Sequence, residues 1–112
     1  MTEQDLQTII QAIKNKQGIS FEYNKPGKVE GIRIGNPYVI YANKGETKKY
    51  LDLHQTNGVS DSATKYPKWK TFETEHISNV TLMTNIFTLV KDYQKYNPKF
   101  LIADARILNT PS

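Results

Sequence analysis

The sequence predicts an α+β, mainly β protein, with one N-terminal helix packed on a small curled sheet or barrel. Three observations predict it. An apolar stripe at helical spacing opens the chain. Four or five short runs of strand character follow. Tight-turn residues separate those runs at short intervals. With 112 residues the chain fits a single domain, 1–112. Closing the sheet suits so short a chain, because closure removes exposed strand edges.

Residues 3–16 read as an amphipathic helix. Leu6, Ile9, Ile10 and Ile13 fall at i, i+3, i+4 and i+7, one apolar stripe. Thr2 is the expected N-cap, and Glu3 and Asp5 suit the positive end of the helix dipole. Lys14 and Lys16 suit the other end, and Gly18 fits a helix stop. The stripe is narrow, so the helix needs a partner surface, and a sheet is the natural one.

The first strand is expected over 19–23, with Ile19, Phe21 and Tyr23 on one face and Ser20 and Glu22 on the other. Asn24-Lys25-Pro26-Gly27 is a strong turn signal, with Pro and Gly placed as a type II turn requires. A second strand is expected over 29–42. Gly31 and Gly35 fit a bulge or tight bend in it, and Pro37 removes one ladder bond, so the strand should bulge or bend there as well. Asn43-Lys44-Gly45-Glu46 reads as a hairpin connection into a third strand, 48–54.

Residues 55–68, rich in Thr, Asn, Gly, Ser, Asp and Pro, form the longest expected loop. A fourth strand follows over 69–73 and a fifth over 77–83. Ile86, Phe87, Leu89, Val90 and Tyr93 then have helical spacing over 86–96, ended by Asn97-Pro98. The run 100–108 fits strand and helix equally. The C-terminal segment is thus expected to be irregular or partly helical.

Composition excludes several classes. There is no Cys, so disulfides, thiolate metal sites and Cys nucleophiles are out. No apolar run is long enough to span a membrane as a helix. The first residues are polar and acidic, unlike a secretory signal, which makes the cytoplasm the expected compartment. Net charge is +4, unevenly spread: residues 44–70 hold six Lys against Glu46, Asp52 and Asp61. That surplus favours an anionic partner.

Catalytic readings fail one by one. His54 and His76 are the only two histidines, and two ligands do not make a metal site. Ser60 and Ser62 lack a nucleophile elbow. Glu73 and Glu75 share a strand face, but the chain is small for the cleft a paired-carboxylate hydrolase needs. Gly31 and Gly35 lie in a strand with no helix start behind them, so they do not form a phosphate loop. The expectation is therefore no enzyme, no cofactor and no metal.

What remains is a polar strip of Arg33, Tyr50, Lys70 and His76, with Glu73 beside it, Trp69 as a stacking surface and Tyr38 and Tyr41 nearby. A cation beside an aromatic ring suits a nucleotide, since phosphate meets the charge while the base stacks. Arg33 would grip a phosphate bidentately, Lys70 would act as a point charge, and His76 would add charge only when protonated. In the fourth strand the aromatic residues are expected on one face and the cations on the other.

The order of these segments resembles the WYL domain, a bacterial module named for a Trp-Tyr-Leu strand. Tyr50-Leu51 match the last two letters. Thr71, Phe72 and Ile77, with Glu75 in the acidic place, follow the family's Arg-Thr-Phe-x-x-Asp-Arg-Ile strand. Ala12-Ile13, Ile19-Ser20-Phe21-Glu22-Tyr23, and Arg33 four residues before Pro37 follow its first half. The likeness covers about 6–82 and leaves 83–112 as an extension. Lys49 stands where the family has Trp, and Lys70 and His76 where it has Arg.

The resemblance implies an SH3-like or Sm-like barrel and a non-enzymatic, regulatory ligand-binding role. The implied ligand is nucleotide-derived or single-stranded nucleic acid, in transcription regulation or phage defence. WYL domains usually sit beside a DNA-binding helix-turn-helix, for which this chain has no room, so it is expected to act alone, as a homo-oligomer, or with a protein partner. The alternative is a protein–protein adaptor using an aromatic groove of the small barrel.

Overall fold

A computed structural model describes residues 1–42, 45–60 and 65–93, and the backbone of 103–106. Helix α1 (Glu3–Asn15) starts where the cap residues place it. The Thr2 hydroxyl accepts from the Asp5 N–H at 3.0 Å, and the Asp5 carboxylate accepts from the Thr2 N–H at 3.4 Å, a reciprocal capping box. Asp5 also accepts from the Val80 N–H at 3.2 Å, which ties the helix start to the sheet. Ile9, Ala12 and Ile13 are fully buried, and Leu6 and Ile10 pack beside them.

The helix stop differs from expectation. Lys16, not Gly18, takes the left-handed conformation (φ 56°), and its N–H reaches back to the Ala12 and Ile13 carbonyls. The first strand begins at Gln17, so the reversal must be complete one residue after the helix ends.

The strands are β1 (Gln17–Tyr23), β2 (Gly31–Ala42), β3 (Lys49–Gly58), β4 (Lys68–Glu73), β5 (Ile77–Ile86) and β6 (Ala103–Arg106), with a single 3-10 turn at Thr74–His76 before β5. Five of them form an antiparallel sheet in the order β4-β3-β2-β1-β5, with β6 beside β2. The first half of β2 pairs with β1 through Gly31–Gly35, and its second half pairs with β6 through Val39, Ile40 and Tyr41. The expected curled sheet under one helix is the fold. No helix among the described residues is long and apolar enough to cross a membrane.

Two irregularities give β2 its bend, and both were expected from its sequence. At Pro37 the register against β3 slips by one, leaving Tyr38 as an extra residue between the Pro37–Leu53 and Val39–Asp52 pairs. A second slip falls at Gly35, where a Cβ would lie 2.6 Å from the His54 carbonyl oxygen and 2.8 Å from Gln55 Cα. Only glycine allows that approach of two backbones. Past the Pro37 bulge, Tyr38 to Tyr41 are all buried, so the second half of β2 is covered on both faces.

The core is Ile19, Phe21 and Tyr23 of β1, Tyr38 to Tyr41 of β2, Leu51 and Leu53 of β3, Phe72 of β4 and Ile77 of β5, with the helix residues above. Phe72 meets Phe21 and Tyr23 edge to face at 5.2 and 4.8 Å.

The long loop expected over 55–68 is shorter. Residues 55–58 extend β3 and Lys68 begins β4. Gln55 explains the extension: it is fully buried, and its Nε2 donates to the carbonyls of Asn57 and Val59 and to the Tyr66 hydroxyl at 2.9–3.1 Å. Residues 61–64 of that loop, and Asn43-Lys44 of the expected hairpin, lie outside the described residues.

The helix expected over 86–96 is replaced by irregular chain as far as Tyr93. Ile86 ends β5, the Phe87 N–H donates to the Lys16 carbonyl at 2.9 Å, and the Val90 N–H donates to the Tyr38 hydroxyl at 3.1 Å. A Val90 N–H bound to Tyr38 does not close the first helical bond, to the Ile86 carbonyl. Residues 94–98 lie outside the described set. Of 100–108, residues 103–106 are strand β6.

Candidate anion-binding groove

The turn after β1 is the one its sequence specifies. The Lys28 N–H donates to the Lys25 carbonyl at 3.0 Å, Pro26 holds the first corner and Gly27 the second with φ 83°, a type II turn. It places Lys25 and Lys28 beside β4. Together with Tyr23, Tyr50, Lys70, Thr71, Phe72 and Glu73 they bound a groove of about 270 Å³. The Tyr23 hydroxyl accepts from the Glu73 N–H at 3.1 Å and so fixes the spacing between the end of β1 and β4.

Of the predicted site residues, Tyr50 and Lys70 meet in this groove. Tyr50 packs its ring 5.8 Å from Tyr41 and donates its hydroxyl to Glu46 at 3.3 Å. Its partial burial, then the Glu46 charge, raise its pKa. Lys70 is half-buried, and neither its ammonium group nor that of Lys28 has an ion pair or hydrogen bond among the described residues.

Arg33 corrects the expected strip. It is fully buried, and its guanidinium carbon stands 5.5 Å from the Tyr23 ring centre and 5.6 Å from that of Phe72. One of its terminal nitrogens donates to the Val29 carbonyl. Arg33 pairs with Phe21 in the sheet and shares its inward face, while Ile32 is 52 % exposed. The alternation in this part of β2 is thus inverted relative to hydrophobicity. Arg33 lies behind two rings that wall the groove, so it adds positive charge there but no accessible fork for a ligand. Burial raises the pKa of Tyr23; the Glu73 N–H, Lys25 and Arg33 partly offset the rise.

Trp69 is a second correction. The β3–β4 register puts Trp69 with Thr71 and Glu73 on one face, and Lys68, Lys70 and Phe72 on the other, so Phe72 shares the face of the cations instead of that of Trp69. Trp69 joins Tyr38 (4.8 Å, edge to face), His54 (5.0 Å) and Tyr93 (6.3 Å, stacked), and its Nε1 donates to Asp92 at 3.0 Å. Its ring is committed to that cluster and does not line the groove. Burial lowers the pKa of His54, against a smaller opposing effect of Asp92.

His76 stands at the rim. Its ring lies 6.2 Å from Tyr23, and its Nε2 is 3.7 Å from both the Glu73 and Glu75 carboxylates. Glu73 and Glu75 were expected on one strand face; instead Glu73 ends β4 and Glu75 lies in the 3-10 turn. Besides His76 they share Lys48, at 3.0 Å from Glu73 and 3.3 Å from Glu75. Glu73 also holds Lys25 at 2.7 Å. The lysines, Lys25 first, hold the Glu73 carboxyl down at about 2, and Lys25 and Lys48 are raised in return.

One ligand atom each from Glu73, Glu75 and His76 falls within 4.8 Å of the others. Two ammonium groups already occupy that neighbourhood and would repel a metal cation. Asp52 and His54 stand two residues apart in β3, but Asp52 accepts from Tyr41 (3.2 Å) and Thr71 (2.8 Å) and serves the sheet.

Lys25 and Lys28 were absent from the expected strip. They flank the strongest turn signal in the chain, but the turn itself does not specify which strand lies opposite it. No family model, curated protein or solved structure matches the chain.

Proposed function

We propose that this chain is a non-enzymatic, ligand-binding regulatory module that takes a nucleotide-derived or single-stranded nucleic-acid ligand. The phosphate would lie among Lys28, Lys70 and Lys25, with Tyr50 and Tyr23 as ring walls. The observation that carries this reading is the convergence of three lysines and two tyrosines on one groove. Its single acid is already matched by Lys25 and Lys48. Buried Arg33 adds a fourth positive charge behind the wall. The resemblance to WYL domains points to the same ligand class. The Glu73 carboxylate is held by Lys25 and Lys48, and the proposed role is binding rather than turnover. The adaptor alternative is the weaker reading, because Tyr38 and Tyr93 are buried against each other and Trp69 instead of forming an open aromatic groove.

The test is anisotropy of a labelled short single-stranded oligonucleotide at low salt, comparing wild type with Lys28→Ala/Lys70→Ala. The affinity of the variant should fall by about tenfold or more, as expected when charge-assisted contacts are lost. Unchanged affinity would refute the assignment.

A further inference from the structure

Glu73 sits inside the groove where a bound anion would sit. Its carboxylate accepts from Lys25 at 2.7 Å and from Lys48 at 3.0 Å, and its side chain is only 17 % exposed. Lys28 and Lys70 line the same groove without such a partner among the described residues. An incoming anion therefore meets two uncommitted cations and others held by a tethered carboxylate. Tethering gives that carboxylate an effective concentration of roughly millimolar or above. A singly charged phosphodiester that displaced it would exchange one negative charge for another. A terminal phosphate monoester brings about −1.5 to −2 near neutral pH and three acceptor oxygens. It can engage Lys28 and Lys70 and still compete for Lys25.

We infer that Glu73 is an internal counter-anion that makes the groove selective for terminal phosphate monoesters over internal phosphodiesters. This rests on the anion-binding reading above and adds the ligand class and the residue that enforces it. Free phosphate and a nucleotide's terminal phosphate share this chemistry, and inorganic phosphate as competitor separates them. Displacement at equal charge by inorganic phosphate means that the groove reads only the phosphate. Resistance to it means that the nucleoside contributes as well. Selectivity for the monoester stands in either case.

The experiment compares one short oligothymidylate with and without a 5′-phosphate, using the full chain at low salt. Wild type should prefer the phosphorylated probe by about tenfold or more, the effect of an added charge-assisted contact. Glu73→Gln should bind the unphosphorylated probe more tightly and narrow the ratio, whereas Glu75→Gln, outside the groove wall, should keep it. Equal binding of the two probes by wild type, or an unchanged ratio in Glu73→Gln, overturns the inference and leaves the site reading standing, provided that Lys28→Ala/Lys70→Ala still weakens both probes. Absence of binding to either probe ends the site reading itself. If Glu73→Gln does not fold, Glu73→Asp shortens the reach to Lys25. A narrowed ratio there supports the inference and a preserved ratio overturns it.

Discussion

On one face of β4, Trp69 packs into a cluster with Tyr38, His54 and Tyr93, and Asp92 takes its ring nitrogen. The next residue, Lys70, on the other face, reaches a groove shared with Lys25, Lys28 and Tyr50. The two regions use the same residue types and end differently. In the cluster the rings satisfy one another and the chain from Phe87 to Tyr93 lies over them. In the groove the rings are walls, and two of the cations have no partner among the described residues. Aromatic residues therefore do not by themselves mark a binding surface. What distinguishes the groove is charge left uncommitted after the local pairs have formed.

The comparison breaks most forcefully at Tyr38. This fully buried ring contacts Trp69, Phe87 and Tyr93 at 4.8–5.1 Å. Tyr38→Ala should cost about 3 kcal/mol or more in urea unfolding, as large aromatic truncations do. Anion affinity per folded molecule should stay unchanged; a parallel loss of affinity would mean that the two regions are coupled.

Lys28→Ala/Lys70→Ala should do the reverse. The slope of log affinity against log salt should shrink by roughly one per lysine. The unfolding midpoint should barely move, because surface changes away from special features stay within about 0.5 kcal/mol. A shifted midpoint with an intact salt slope would reassign these lysines to the scaffold.

A smaller effect is expected of Asp92→Ala, which leaves the Trp69 indole in place but removes the acceptor of its Nε1. That loss should cost about 0.5–1 kcal/mol, near the low end for a hydrogen bond because the pair is exposed. Ligand affinity should not change.

The smallest effect concerns pH. The folded-state pKa of Glu73 lies at about 2, below its ordinary 4.5, so the charged form favours folding. Its contribution is complete above about 4.5 and is lost as pH falls through the window down to about 2. Screening keeps it small and salt-sensitive. Glu73→Gln should therefore flatten the acid limb of stability in that window, measured by thermal unfolding at several pH values. An identical acid limb would show that the Lys25 and Lys48 pairs do not persist in solution.

Local signals made most of the fold legible. The stripe Leu6, Ile9, Ile10, Ile13, the Thr2–Asp5 cap, the Pro26-Gly27 turn and the Pro37 bulge each carry their own physical cause within a few residues. The site was half legible. Tyr50 and Lys70 line the groove, but Arg33, an arginine between two isoleucines, reads as polar-out. The register against Phe21 turns it inward, where two rings and the Val29 carbonyl receive it. Phe87, Leu89, Val90 and Tyr93 fit helical spacing. They also suit a strap over an aromatic surface, and period alone does not separate the two.

Taken by itself, the sequence determined the helix and its cap, the tight turns, the bends of β2 and the basic balance of the chain, because each depends on side chains near one another along the backbone. Only the tertiary structure decided which face Arg33 takes, where the C-terminal chain lies, and which lysines share a groove. Those outcomes depend on strand register and on residues such as Lys25 and Lys70, far apart in the chain, whose meeting no local pattern encodes.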